Sequence, residues 1–598
     1  MQSSVARLEQ AVADGRIDPE VAGRIRRWLT DPALGEFSGA VAALLDADDT
    51  DELVRLFWED IPFGTGGRRG VMGPLGTATI NSRTIAESAH GLARHLQDTG
   101  HTSGRIAVAH DTRNRSVEFA RLVSTTFAAH GFEVLEFDGH RATPTLSFTV
   151  RHLECVAGVV ISASHNPPSD NGFKAYWSHG GQVLPPHDTG IVECVAGSTE
   201  IPTMAYDQAV ADGHITRLGP EIDQAYRRAV LASRQPTADL QAHNPATLPA
   251  LYTPLCGVGA ISVLPVLHEA GFVGVELFQP QADPDGDFTA VPDQLPNPER
   301  PEVFGPAIAA ADQNGQVLVL ATDPDADRLA VAAPDPGGVW RVMTGNQLAV
   351  VLLDHLLGHH DRPPEAYMLT TLVTTPLLGV LCRSRGVQAV DDLPVGFKHI
   401  AKEMEERGPE GFVFGCEESI GFQAGTYCRD KDAAVAALLV ADVALELHAE
   451  NRTVWHRLDD IFSQHGRVDE FQHSVFAHGP SGRKKIDQAM ESLRHQPPSS
   501  TGGHSWSRVR DYQTHEIRSL PDNRADQALP TPSTNLLVFE SNPVHSPMIT
   551  LAVRPSGTEP KIKFYGFARQ LEPGDADTRT AIDQLEQGLV ELLQTLIC

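Results

Sequence analysis

Apolar side chains recur at helical spacing through the first sixty residues. Val21, Ile25, Trp28 and Leu29 share one face, and Leu53, Leu56 and Phe57 another, which predicts an amphipathic helical cover. Beyond it the pattern changes to short apolar runs at 105–110, 133–137 and 157–161, which read as buried strands. A helical stretch at 116–129 and a second after Thr143-Pro144 separate these runs. The same cadence restarts twice. One restart runs from 247–252 through a helix at 260–270 to a strand at 316–321, and the other from Gly345 through 367–373 to a helix at 433–446. Alternation of this kind predicts helix-wrapped, mainly parallel sheets. The polar segment 477–528, rich in Ser, Gly, Pro and His, is expected to contain mobile loops. A strand pair at 548–553 and 561–567 follows, and a helix bearing Ile582, Leu585, Leu589, Leu592 and Leu593 comes last.

At 598 residues the chain exceeds what one core supports and calls for about four domains. With 41% hydrophobic and 21% charged residues it has a globular composition, and no apolar run reaches the length of a membrane span. The start of the chain lacks the charged-then-apolar form of a signal peptide. Seven cysteines without a Cys-x-x-Cys pair point to reduced thiols, so a cytoplasmic location is expected. The net charge of −29 disfavours nucleic acid and acidic membranes as partners. An anionic substrate therefore has to be captured by local basic residues.

Four stretches carry chemistry. The apolar run Val159-Val160-Ile161 breaks into Ser162-Ala163-Ser164-His165-Asn166-Pro167-Pro168, a rigid loop at a strand's carboxyl end, where open α/β sheets place their active groups. Ser164 has His165 beside it, and Lys174 is expected one loop turn later, a nucleophile with candidate bases. The strand before Asp323-Pro324-Asp325-Ala326-Asp327-Arg328 delivers three alternate carboxylates, which repel one another unless a hard cation such as Mg²⁺ sits among them. An EF-hand is excluded by Arg328 in place of glycine and Pro334 in place of glutamate. A haloacid-dehalogenase-type loop has threonine or valine where Asp327 stands. Asp283-Pro284-Asp285-Gly286-Asp287 follows no strand and reads as a solvated turn. Glu417 and Ser419 in Gly415-Cys416-Glu417-Glu418-Ser419-Ile420-Gly421 suit sugar hydroxyls, or cap the next helix. Arg554, Ser556, Gly557, Thr558 and Lys561 lie on a tight turn that suits a dianionic phosphate. The glycine-rich loop at 63–70 carries Arg68 and Arg69 and matches neither a dinucleotide fingerprint nor a nucleotide P-loop.

These five loops occur in the order found in the α-D-phosphohexomutase superfamily, which the chain resembles over nearly its whole length, most of all its phosphoglucomutase and phosphopentomutase-like branch. The resemblance implies three similar α/β domains with mixed sheets and a C-terminal α+β domain of TATA-box-binding-protein-like fold, with boundaries at 1–220, 221–338, 339–460 and 461–598. It implies phosphorylation of Ser164, with Asp323, Asp325 and Asp327 holding Mg²⁺ against that phosphate. Arg69, His165 and Lys174 match acid, base and electrostatic positions, and a lysine base requires a lowered pKa. Arg328, Lys398, Glu417 and Ser419 match substrate-contacting positions, and Arg554, Ser556, Gly557 and Thr558 match the clamp for the non-reacting phosphate. Cys256 stands where the family usually has histidine, and Ile420 where many members have an aromatic residue.

The implied activity is interconversion of glucose 1-phosphate and glucose 6-phosphate, with glucose 1,6-bisphosphate as intermediate and activator, in a monomer or homodimer. Mannose and pentose phosphates are the alternative substrates within the superfamily. Outside it stand a phosphatase, which would release inorganic phosphate, and a non-catalytic sugar-phosphate binder, which would carry no exchangeable phosphate.

Overall fold

The computed structural model describes residues 2–596, apart from 64–65, 235, 237, 359–361, 478, 530–532, 543–545, 558–560, 573 and 575–576. Four helices, Gln2–Ala13, Pro19–Thr30, Gly35–Asp46 and Thr50–Phe57, open the chain. They close around their own core of Leu8, Ile25, Trp28, Leu53 and Phe57. Asp18 caps the second helix by accepting from the Glu20 amide, with Pro19 at its first turn, so sequence chemistry fixes that start.

Among the described residues the chain then builds four large sheets. The first runs Gly67–Val71, Asp170–Trp177, Ala157–Ile161, Arg105–His110, Glu133–Phe137, Ile215–Leu218. Its last four strands are parallel and its first two antiparallel. Two expectations change here. Arg68 and Arg69 lie on a strand rather than in a loop, and Lys174 lies on the strand Asp170–Trp177 rather than in a loop turn. The glycines explain the first difference: a Cβ on Gly67 would sit 1.9 Å from the Phe173 carbonyl oxygen, so this pairing requires a bare backbone.

The second sheet runs Trp340–Val342, Leu329–Pro334, Leu318–Thr322, Ala250–Thr253, Val275–Leu277, and the third Gln388–Leu393, Tyr367–Thr371, Phe412–Glu417, Gly421–Gln423. Both are mixed. One apolar cluster spans them, and the helix Ala433–Ala449 runs through it, buried on nearly every side.

The fourth sheet is antiparallel throughout, in the order Val468–Phe476, Lys561–Arg569, Met548–Pro555, Leu537–Glu540, Arg508–Asp511, Glu516–Ser519, Arg524–Ala528. The helices Gly479–His495 and Thr578–Leu596 cover one face, with Ile486, Met490, Leu493, Ile582, Leu585 and Leu589 packed on Leu551, Ile562 and Phe564. The segment 477–528 is a helix followed by five short strands, with turns between them. Its polar composition belongs to the turns and to the exposed edge strand Arg524–Ala528.

Candidate active site

Ser164 follows directly on the buried strand Ala157–Ile161. It sits in the left-handed region at φ +52°, a conformation that costs energy for any residue but glycine. The loop is over-determined by one buried cation. Arg113, beyond the strand Arg105–His110, donates to the carbonyls of Ser164 (2.6 Å), Pro167 (2.7 Å) and Asp170 (3.0 Å), and also to that of Asn166. Asp111, 3.4 Å from Arg113 Nε, compensates its charge. Ser162 Oγ accepts the Ser164 amide at 2.9 Å.

The strand Leu318–Thr322 ends at the acidic run, and its three carboxylates have oxygens within 4.8 Å of one another. Each is approached from another part of the chain. Ser164 Oγ donates to Asp323 Oδ2 at 2.6 Å, Lys174 Nζ to Asp325 Oδ2 at 2.6 Å, and Lys431 Nζ lies 2.8 Å from Asp327 Oδ2. Thr143 also donates to Asp325 Oδ2, at 2.6 Å. Asp325 Oδ1 and Asp327 Oδ1 are buried without a hydrogen-bond partner. Burial, then repulsion from Asp327 and Asp325, holds the Asp323 carboxyl well above its ordinary range. Burial alone would raise Asp325 too, but Lys174 overrides it and keeps it low. Two orphaned oxygens in an all-carboxylate set fit a hard divalent cation.

Lys174 differs from the expectation of a lowered pKa. Burial pulls it down, but the carboxylates of Asp325 and Asp327 outweigh both burial and Lys431, so it is raised. His165 is the opposite case. Burial, then Arg328, Arg69 and Lys561, push it well below its ordinary value, leaving a neutral ring whose Nδ1 is 3.3 Å from Ser164 Oγ.

Glu417 ends the strand Phe412–Glu417 and accepts the Gly396 amide at 2.9 Å. Gly396, at φ +124°, allows the turn that presents this amide. Burial, then the Glu418 charge, push the Glu417 carboxyl up to about 7. Ile420 closes the turn at φ +55°, a strained conformation for a β-branched residue. On the fourth sheet Arg554 ends its strand, donates to the Tyr565 hydroxyl at 3.5 Å, and pairs across the ladder with Lys563.

These groups converge on one cleft of about 390 Å³, a size that suits a phosphosugar. Arg69, Ser164, His165, Lys174, Asp327 and Arg328 line it, together with Glu417, Ser419, Arg554, Ser556 and Gly557. Asp323 and Asp325 lie just behind the wall, fully buried. Lys398 is not brought to the cleft wall. It is buried at the start of the helix Phe397–Arg407, where burial lowers its pKa and Asp188 is the charge that opposes this. Thr558 lies outside the described residues. Cys256 is buried at φ +61°, and its carbonyl accepts from Thr112 at 3.0 Å. Asp285 closes its turn by accepting the amides of Asp287 and Thr289.

Several site residues escaped the sequence reading. Lys431 takes the position on Asp327, on the loop Asp430-Lys431-Asp432 before the helix Ala433–Ala449, and the alternation of charges there was the available signal. Arg113 gave a similar signal in Asp111-Thr112-Arg113 after a strand. Glu299, whose Oε1 is 3.8 Å from Arg328 Nη1, and Gln472 and Ser474 on the cleft wall gave none.

Residues 60–201, 224–337 and 344–464 match, in turn, alpha/beta/alpha domains I, II and III of the phosphoglucomutase/phosphomannomutase family. The chain is 31% identical to phosphopentomutase of Homo sapiens over 98% of its own length and 95% of the relative's. It is 32% identical to phosphoglucomutase of Staphylococcus aureus over 86% of its own length and 93% of the relative's. Its fold is similar to the open form of pp63/parafusin, a phosphoglucomutase from Paramecium, with a TM-score of 0.64 at 16% identity, covering 89% of this chain and 95% of that one. The helices of the described residues include none long and apolar enough to cross a membrane. Matched domain by domain, and to two kinds of mutase along nearly their whole length, the chain belongs to the α-D-phosphohexomutase superfamily and is an isomerase of phosphosugars.

Proposed function

We propose that the protein interconverts α-D-glucose 1-phosphate and glucose 6-phosphate, with Ser164 as the phosphorylated residue and glucose 1,6-bisphosphate as the intermediate and activator. The observation that carries this reading is the 2.6 Å hydrogen bond from Ser164 Oγ to Asp323, in a cleft that is also lined by Arg554, Ser556 and Gly557. A nucleophile and a phosphate clamp in one cleft suit a substrate that holds phosphate at either end.

The residues fit Mg²⁺, which Asp323, Asp325 and Asp327 would hold. When bound, it would neutralise the charge that spreads over the phosphoryl oxygens in a loose transition state. Arg554, Ser556 and Gly557 grip the non-reacting phosphate, and Glu417 and Ser419 orient the sugar hydroxyls. His165, neutral, takes the proton of the attacking sugar hydroxyl. As the sugar oxygen–phosphorus bond forms and the Ser164 Oγ–phosphorus bond breaks, that proton passes to Ser164 Oγ. Lys174 and Lys431 stay charged and, with Arg328 and Arg69, stabilise the transferring group. The bisphosphate then turns over and returns its other phosphate to Ser164. The chain divides near 220, 338 and 460 into units that each carry one of these loops, although the short strand Trp340–Val342, just past 338, still pairs with Leu329–Pro334 of the second sheet.

A second reading has its own support: the human phosphopentomutase matches 98% of this chain, against 86% for the S. aureus phosphoglucomutase. Comparing kcat/KM for glucose 1-phosphate, mannose 1-phosphate and deoxyribose 1-phosphate, with Mg²⁺ and the matching bisphosphate, decides between them. The proposal expects glucose 1-phosphate to lead by about tenfold, or about 1.4 kcal/mol in transition-state binding. A lead for the pentose or mannose overturns the glucose assignment.

A further inference from the structure

The cleft has a wall with no assigned role, the strand Val468–Phe476. It is the edge of the fourth sheet and, among the described residues, pairs only with Lys561–Arg569. Its side chains alternate as a pleated strand requires. Phe471 and Val475 enter the core beneath the two helices, while Gln472, Ser474 and Phe476 face the cleft. Across the ladder Gln472 stands beside Tyr565, Ser474 beside Lys563, and Lys563 beside Arg554. The chemistry of this sheet face is therefore sorted. Its inner strands offer cations to phosphate, and its edge strand offers an amide and a hydroxyl. Neither Gln472 nor Ser474 makes a side-chain hydrogen bond among the described residues. Neutral donor–acceptor groups of this kind suit sugar hydroxyls, not phosphate. Ser474 lies two strand spacings, about 10 Å, from Arg554, within reach of the sugar of a phosphosugar clamped there.

The strand's attachment adds a second argument. It follows the helix Val454–His465 of the third unit through Gly466, and two residues before Gln472 it is pinned to that unit. Glu470 accepts from Thr344 Oγ1 at 2.6 Å and from Asn346 Nδ2 at 2.7 Å. These two hydrogen bonds hold the strand, two residues before Gln472, against the unit that carries Glu417 and Ser419.

We propose that Gln472 and Ser474 form a second sugar-reading surface, lining the same cleft as Glu417 and Ser419, that favours a hexose over a pentose. This inference rests on the mutase reading above and deepens it. A pyranose has hydroxyls enough to engage both pairs of residues. A smaller deoxypentose leaves a built hydrogen-bonding group unpartnered, and sites of that kind reject the analogue lacking the hydroxyl.

The test measures kcat/KM for glucose 1-phosphate and deoxyribose 1-phosphate, with Mg²⁺ and the matching bisphosphate, in the full chain, Gln472→Ala, Ser474→Ala, the double variant and Ser474→Thr. The double variant is expected to lower the glucose-to-deoxyribose ratio about tenfold, chiefly through glucose 1-phosphate, and Ser474→Thr, which keeps the hydroxyl, to preserve it. A ratio unchanged within about twofold, an equal loss for both sugars, or a wild type that prefers the pentose overturns the inference, with the mutase chemistry intact. A wild type that isomerises neither sugar overturns the glucose reading, and this inference with it.

Discussion

Ser164 Oγ donates to Asp323 Oδ2 at 2.6 Å, joining the end of a strand in the first sheet to the end of a strand in the second. The chain's nucleophile candidate and its carboxylate trio thus form one site only when two separately built units dock. The Ser164→Ala variant should retain the fold, because Arg113 grips backbone carbonyls and not the hydroxyl. It should lose mutase turnover by at least about 10⁴-fold, with no phosphorylated species by intact mass. Full activity in this variant contradicts the role given to Ser164.

Chelation tests the acidic trio. Treatment with EDTA should abolish activity and added Mg²⁺ restore it. Asp327→Asn should lower kcat by about 10²–10³ and weaken the Mg²⁺ dependence of the rate. An enzyme indifferent to EDTA contradicts the assignment of these carboxylates.

Arg554 lines the same cleft as Ser164 but comes from the fourth sheet. Removing a charged donor to a phosphate costs about 1.5–3 kcal/mol. Arg554→Ala should therefore raise KM for the sugar phosphate about 10- to 100-fold while Ser164 still becomes phosphorylated. A variant with unchanged KM and reduced kcat places Arg554 at the reacting phosphate instead.

Glu470 gives a dependence on pH. Burial pushes its carboxyl from 4.5 up to about 7, against the hydrogen bonds from Thr344 and Asn346. A raised carboxyl favours the protonated form in the folded chain, so its stabilising effect is complete below the ordinary value and fades as pH rises through about 7. Glu470→Gln, which cannot ionise, should gain Tm relative to wild type between pH 5 and pH 8. A Tm difference that is flat across that range contradicts this account of the contact.

Much of this was legible in the sequence because the signals are local. A β-branched run ending in Ser164, three alternate aspartates and an arginine-led turn each declare themselves within ten residues, and the helix at 116–129 follows from its own periodicity. What the sequence hid depends on tertiary neighbours. Glycines 66–67 and 70 resemble a phosphate-cradling loop, yet they serve a strand pairing that only Phe173 reveals. Lys174 reads as a base until Asp325 and Asp327, some 150 positions away, are placed beside it and hold its proton. Lys398 and Lys431 are both lysines near helix starts, and only packing brings the second to Asp327. The helix Gly479–His495 is hidden by polar surroundings, although Ile486, Met490 and Leu493 mark its buried stripe.

The most direct test is a single turnover. Enzyme phosphorylated at Ser164, freed of excess bisphosphate, is mixed with glucose 1-phosphate and Mg²⁺, and the fate of the Ser164 phosphate is followed. The account predicts that it appears on the sugar as glucose 1,6-bisphosphate and that glucose 6-phosphate follows with no stoichiometric release of inorganic phosphate. Quantitative appearance of that phosphate in solution contradicts it and makes the protein a phosphatase.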